Sequence, residues 1–277
     1  MKTVINLPEI RAARAELTGP IGFVPTMGYL HAGHLALVRR ARDECASVVV
    51  SIFVNPTQFG PQEDLASYPR DLPHDLSQLR EAGVDLVWTP TPELMYPPGF
   101  QTWVSVEKVA QGLEGAARPG HFRGVATVVA KLFNAVQPHK AYFGQKDAQQ
   151  AAVIQRLTKD LDLPIQIVVC PTLREPDGLA MSSRNSYLTP AERQAATVLF
   201  RALSAARIAF GQGERRAETL RQVVRTVIGA EPLANLQYVA CSNAETLEEL
   251  ELVHDKALLS LAVHLGKTRL IDNILLE

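Results

Sequence analysis

The sequence predicts an α/β protein: a Rossmann-like parallel sheet with helices on both faces, followed by a smaller α+β C-terminal domain. Three observations carry this. Apolar strand-like runs alternate with helix-period segments through the first 170 residues, and repeated βα units imply parallel pairing with right-handed crossovers. The run Val48 to Val54 is continuous and rich in β-branched residues, as a strand covered on both faces requires. After about residue 171 the pattern changes to long helices followed by short strands.

In chain order, residues 7–16 read as a short helix and 21–24 as a buried strand ended by Pro25. Residues 34–45 place Leu35, Val38, Ala41 and Arg42 at a helix period, and 48–54 form the apolar strand. Residues 71–82 are a helix closed by Gly83, and 84–88 a strand. Then come a helix at 127–136, a strand at 141–143, a helix at 148–161 and a strand at 165–169. In the second part, 190–210 reads as one long helix with Thr189 as N-cap and Pro190 at its first position, and 218–228 as another. Strands are expected at 236–240, 258–265 and 269–274. The domain boundary falls between 171 and 172, separating a Rossmann-like sheet domain of 1–171 from a smaller α+β domain of 172–277.

Bulk properties exclude several classes. The 277 residues carry a net charge of −1, which gives no footprint for nucleic acid or an anionic membrane. No apolar run reaches membrane-spanning length. The N-terminal residues lack the apolar length of a secretory signal, so a cytoplasmic protein is expected. Cys45, Cys170 and Cys241 are odd in number and widely spaced, forming neither a disulfide frame nor a zinc pattern. They read as small buried hydrophobes, and His74, His139, His254 and His264 as packing or surface residues.

The chemistry concentrates at strand ends. Val24 through His34 reads as strand, glycine-bearing turn and helix entrance, with His31 and His34 three residues apart. Unpaired N–H groups at a helix start favour anions, and two imidazoles add donors, so phosphate is the leading ligand class. Neither a Walker loop nor a Gly-x-Gly-x-x-Gly run is present. Asn55 to Gly60 follows the most apolar strand: its amides suit a small hydroxylated acid, and Asn-Pro is equally a turn opener. Gly144-Gln145-Lys146-Asp147 follows the next strand, with a lysine suited to triphosphate charge or to a solvated turn. In a parallel sheet these three segments share one rim, where such sheets bind ligands.

Met181-Ser182-Ser183-Arg184 offers two hydroxyls and a guanidinium, a phosphate grip or an exposed turn. Residues 113–125 form a glycine-bearing loop with Glu114, Arg118, His121 and Arg123, read as a substrate-covering or a surface loop. Asp71, Asp75 and Gln78 share a helical face, a place for hydrated magnesium or simply a solvated face.

Taken in order, these motifs resemble the pantothenate synthetase (pantoate–β-alanine ligase) family over essentially the whole chain. The matching pieces are Pro25-Thr26-Met27-Gly28 with His31 and His34; Ser51 to Pro56 with Gln58-Phe59; Arg118 to Gly124; Asp177 to Asn185; and Arg269-Leu270-Ile271-Asp272-Asn273. The resemblance implies ATP-dependent condensation of (R)-pantoate with β-alanine through a pantoyl adenylate, releasing AMP and pyrophosphate, in coenzyme A biosynthesis. It implies His31, His34, Lys146, Ser182, Ser183 and Arg184 as catalytic residues, His34 being also a candidate proton donor. ATP would be bound by Met27, Gly28, Tyr29, Leu30, His31, Ala32, Gly33, His34, Gly144, Gln145, Lys146, Asp147, Leu173, Met181, Ser182, Ser183 and Arg184. Pantoate falls to Pro25, Thr26, Met27, Asn55, Gln58 and Gln150, and β-alanine to Gln58. Mg²⁺ accompanies ATP, with Asp75 and Gln78 as its protein ligands, and the family implies a homodimer joined through the larger domain.

The chain departs from the family pattern twice. Gln145 stands where the family usually has Glu, removing a charge beside Lys146, and His74 precedes Asp75 where the family offers adjacent carboxylates. The rival functions are another nucleotidyltransferase and a non-catalytic nucleotide-binding regulator. An RNA-charging role lacks any basic domain.

Overall fold

The computed structural model describes residues 1–61 and 63–277. The chain divides into two compact units, one of 1–144 with 150–170, the other of 145–149 with 171–277.

In the first unit, six strands form one sheet in the order β1-β4-β3-β2-β5-β6. They are β1 (Lys2–Val4), β2 (Ile21–Thr26), β3 (Ser47–Ile52), β4 (Leu86–Trp88), β5 (Lys140–Gly144) and β6 (Gln166–Cys170). Every pairing is parallel, as the βα alternation predicts. Strand residues alternate between two apolar layers. Phe23, Val49, Leu86 and Phe143 join one, with Ile10 of α1 (Leu7–Ala15), Phe122 and Val129 of α6 (His121–Val136), and Val153 of α7 (Ala148–Asp160). Val24, Val50, Val87 and Tyr142 join the other, with Leu37 and Val38 of α2 (Ala32–Glu44) and Leu79 of α3 (Leu72–Glu81). Two short helices, α4 (Pro92–Met95) and α5 (Leu113–Ala117), complete the unit.

Pro25 does not end β2. The Thr26 carbonyl accepts from Phe53 N–H on the β3 side, at 3.0 Å. The preceding residue therefore faces β5, where the pairing stops at Phe23↔Ala141. A missing N–H costs nothing there. The glycine-bearing loop expected at 113–125 is instead α5 and the opening turn of α6. Its glycines serve close approach: a Cβ on Gly115 would lie 1.8 Å from the Ala110 carbonyl oxygen, and one on Gly124 2.4 Å from that of Thr57. The strand β1 went unread because three residues carry no period.

The second unit holds α8 (Pro190–Ala195), α9 (Val198–Gly211) and α10 (Ala217–Gly229), with an antiparallel sheet β7-β8-β9. Its strands are β7 (Ala234–Asn243), β8 (Ala257–Leu265) and β9 (Thr268–Leu276). Leu199, Leu203, Leu220, Ile228, Leu259 and Leu261 are fully or almost fully buried in its own core. The single helix expected over 190–210 is broken at Ala196-Thr197, where the Thr197 hydroxyl donates back to the Gln194 carbonyl at 2.9 Å. Among the described residues no helix is long and apolar enough to cross a membrane.

Candidate nucleotide and acid site

The strand order changes direction at β2: the chain passes to β3 on one side and later to β5 on the other. Open α/β sheets bind ligands beyond the carboxyl end at such a point, and the turn 27–31 occupies it. Gly28 has φ +82° and Tyr29 φ 51°, both left-handed. A Cβ at Gly28 would lie 3.0 Å from Asp75 Oδ2 and from Ile52 Cγ2, so both the dihedral and the space demand glycine. The Thr26 hydroxyl donates to the Ser51 carbonyl (2.9 Å) and accepts from Gly28 N–H (3.3 Å). Asp75, only 1% exposed, accepts from Tyr29 N–H at 2.8 Å and Leu30 N–H at 2.7 Å, one on each oxygen. Burial pushes the Asp75 carboxyl above its ordinary value, with the two N–H groups pulling against that rise. Thr26 and Asp75 thus hold the turn that delivers the histidines.

His31 is the N-cap of α2. Its Nδ1 accepts from Gly33 N–H at 3.1 Å, and His34 Nδ1 accepts from His31 N–H at 3.4 Å, a capping box built from two imidazoles. An Nδ1 that accepts carries no proton, so each neutral ring holds its proton on Nε2. The ring centroids are 4.1 Å apart. The pair therefore supplies two N–H donors of fixed tautomer at a helix start, where the dipole already favours negative charge.

Beyond β3, Asn55 is 1% exposed. Its Oδ1 accepts from Thr57 N–H (3.3 Å), the Thr57 hydroxyl (2.9 Å) and Tyr96 OH (2.8 Å). Its Nδ2 donates to Gln58 Oε1 and the Gly124 carbonyl, both at 3.2 Å. Both amide hydrogens are thereby engaged, and the structure gives Asn55 the task of aiming Gln58. Gln58 Nε2 in turn donates to Met27 Sδ at 3.1 Å, joining the β2 and β3 segments. Gln150 lies in the first turn of α7 and is half-buried. Tyr96 is a site-supporting residue that no sequence pattern marked; it follows the short helix α4, and burial raises its phenol.

In the second unit, the turn Gln145–Asp147 is braced by Asn273 of β9. Asn273 Nδ2 donates to the carbonyls of Gln145 (3.0 Å) and Lys146 (2.9 Å), and its Oδ1 accepts from Gln145 Nε2 at 3.1 Å. Gln145, the departure from the family's Glu, thus supplies an amide donor to Asn273. Lys146 Nζ lies 3.9 Å from Asp147 Oδ1. Arg174 donates to both Asp272 oxygens (2.6 and 2.9 Å) and to the Gly178 and Asn273 carbonyls (3.1 and 3.2 Å). The segment it anchors carries Leu173, 38% exposed, and Met181, whose N–H donates to the Leu173 carbonyl at 3.0 Å. Ser182 caps the short turn Ser183–Tyr187 through Arg184 N–H at 3.3 Å, and Ser183 is buried.

The described residues hold no cluster of three or more His, Cys, Asp or Glu suited to a metal. Gln78 Oε1 is buried without a hydrogen-bond partner, an oxygen acceptor in want of a donor. Asp75, one turn earlier, has both oxygens engaged by backbone. Such oxygen donors fit a Mg²⁺ ion that keeps its own waters, not one bound by a protein cage.

A parallel sheet whose switch point presents donor imidazoles at a helix start is the architecture of a nucleotide-handling α/β enzyme. A family model described as Pantoate-beta-alanine ligase matches residues 1–275. Pantothenate synthetases of Roseiflexus castenholzii and Chloroflexus aggregans are 62% and 60% identical to this chain over 277 residues, covering all of both chains in each case. The crystal structure of pantothenate synthetase from Thermus thermophilus superposes with a TM-score of 0.95 at 51% identity, covering 99% of each chain. A pantoate-beta-alanine ligase from Francisella tularensis, solved with beta-gamma ATP and beta-alanine, gives a TM-score of 0.82 at 36% identity, covering 99% of this chain and 97% of that one. The chain belongs to the pantoate–β-alanine ligase family.

Proposed function

We propose that this ligase condenses (R)-pantoate with β-alanine at the expense of ATP, through a pantoyl adenylate, and so serves pantothenate biosynthesis. The observation that carries the reading is the histidine capping box, which fixes two Nε2–H donors at the start of α2. A carboxylate does not react with an amine because oxide is a poor leaving group. Transfer of AMP to the pantoate carboxylate expels pyrophosphate and creates a good one. The β-alanine amine then attacks the acyl carbon and expels AMP.

His31 and His34 would stabilise charge growing on the phosphates during the first step. We assign Lys146, Ser182, Ser183 and Arg184 to the phosphates on their charge and hydroxyl chemistry, and Gln58 and Gln150 to the acid. Met27, Thr26 and Asn55 support the acid side through the turn and through Gln58. Mg²⁺ would supply charge neutralisation to the phosphates, and Asp75 and Gln78 are the residues that would hold it. Alignment of the bound reactants contributes the rest of the acceleration.

We also propose a homodimer. Residues 104–107 lie outside any sheet, yet they alternate as a strand would: Val104 and Val106 pack on the first core, while Ser105 and Glu107 are exposed. Light scattering is expected to return the mass of two chains; a monomer at micromolar concentration refutes it.

The deciding experiment for the reaction is isotope exchange of pyrophosphate into ATP. Exchange is expected with pantoate and without β-alanine; equal exchange with an unrelated nucleotide acceptor overturns the reading. His34→Ala is expected to lower that exchange by about 10²–10³-fold with the fold intact by circular dichroism.

A further inference from the structure

The motif Arg118 to Gly124 has no assigned role in the reaction, yet it closes on the residue given to the acid. His121, 9% exposed at the start of α6, lies with Nδ1 2.7 Å from the Gln58 carbonyl oxygen. A carbonyl can only accept, so Nδ1 carries the proton and donates. His121 Nε2 then accepts from Arg118 Nη1 at 3.1 Å. Arg118 Nη2 donates to the same Gln58 carbonyl at 3.2 Å. Its guanidinium is fixed by a two-point pair with Glu63, at 2.8 and 2.5 Å. One helical turn along, the Gly124 carbonyl accepts from Asn55 Nδ2, and Gly124 lies too close to Thr57 for any side chain.

We infer that His121 and Arg118 are positioning residues for the acid substrate: together they clamp the Gln58 backbone from beneath, while Asn55 aims its side chain from above. The carbonyl is gripped by two donors, so the turn 56–58 cannot rotate without leaving the buried His121 Nδ1–H unpaired and Arg118 short of one bond. The inference rests on the assignment of Gln58 to pantoate. Electrostatics support it: burial, then the neighbouring Arg118 charge, lowers His121 to about 4, which keeps the ring neutral and its tautomer single at physiological pH. The bond to the Gln58 carbonyl, then the facing Glu63 and Glu114, pull the other way.

The test compares steady-state KM values for pantoate and ATP. His121→Leu, which cannot donate, is expected to raise KM for pantoate roughly 3- to 10-fold and to leave KM for ATP within about twofold. His121→Asn keeps an N–H near the Nδ1 position and is expected to restore most of the pantoate affinity. Equal increases in both KM values, or no rescue by Asn, overturn the inference. Should His121→Leu fail to fold, Glu63→Gln, which removes only the charge holding Arg118, is expected to raise KM for pantoate selectively; an unchanged value overturns the inference. Gln58→Ala separates the two readings. If it leaves KM for pantoate unchanged, the assignment of Gln58 fails. If it raises that KM and His121→Leu does not, the clamp fails alone.

Discussion

The histidines along the carboxyl rim differ in which ring nitrogen carries the proton, and the backbone decides it. Gly33 and His31 N–H groups take the Nδ1 atoms of His31 and His34, whereas the Gln58 carbonyl takes the Nδ1 proton of His121. The first pair therefore carries its protons on Nε2, and the third uses Nε2 to receive Arg118. This has a pH signature. His121 is lowered to about 4, chiefly by burial, from a reference of 6.5. Between those values the unfolded chain binds a proton that the folded one refuses, so stability is full above about 6.5 and declines as pH falls through 4. The slope attributable to this ring approaches about 1.4 kcal/mol per pH unit at most. His121→Asn cannot titrate. Its thermal midpoint is expected to gain on the wild type as pH drops from 7 to 4.5, and parallel curves would show that the ring is not the cause. His31, His34 and Asn55 were legible from sequence because strand-end motifs announce them. Their hydrogen-bond assignments were not, since a tautomer depends on partners that folding brings up.

At the level of single elements, glycine was the residue most open to misreading. A run holding Gly112, Gly115, Gly120 and Gly124 has the composition of a loop, and it is mostly helix. Gly124 is there because α6 touches the turn 56–58, a contact with no local trace in the sequence. Gly124→Ala would force a Cβ to 2.4 Å from the Thr57 carbonyl oxygen. It is expected to destabilise the protein by about 1–3 kcal/mol, read as a lowered melting temperature, and to raise KM for pantoate more than KM for ATP. The turn 27–31 has an equivalent dependence on α3. Asp75→Asn keeps one acceptor but sets an NH₂ against a backbone N–H, at a cost of about 1–3 kcal/mol. Its expected kinetic effect falls on ATP-dependent exchange, because the displaced element is the one carrying His31 and His34. Asp75 reads in sequence as a candidate metal ligand because its spacing to Gln78 fits one helical face; its two backbone partners, 45 and 46 residues away, were invisible there.

Across the whole molecule, the first sheet was readable because buried parallel strands write long apolar runs, and the second unit because its amphipathic helices and hairpin strands are long. What sequence could not give is the way each unit draws on distant segments. The turn Gln145–Asp147 belongs with residues 171–277 because Asn273 bonds it at three points. Asn273→Leu would remove the side-chain partner of two part-buried carbonyls and of the Gln145 amide. It is expected to raise KM for ATP at least several-fold and to lower the melting temperature, whereas an unchanged KM would separate the brace from the nucleotide. That brace lies 128 residues downstream of the turn it holds. At the usual pace of a ribosome, the interval between making the lysine and making its support is roughly 6 to 25 s. During that time a nascent chain carries Lys146 on an unsecured turn, so the turn takes its final form only late in translation.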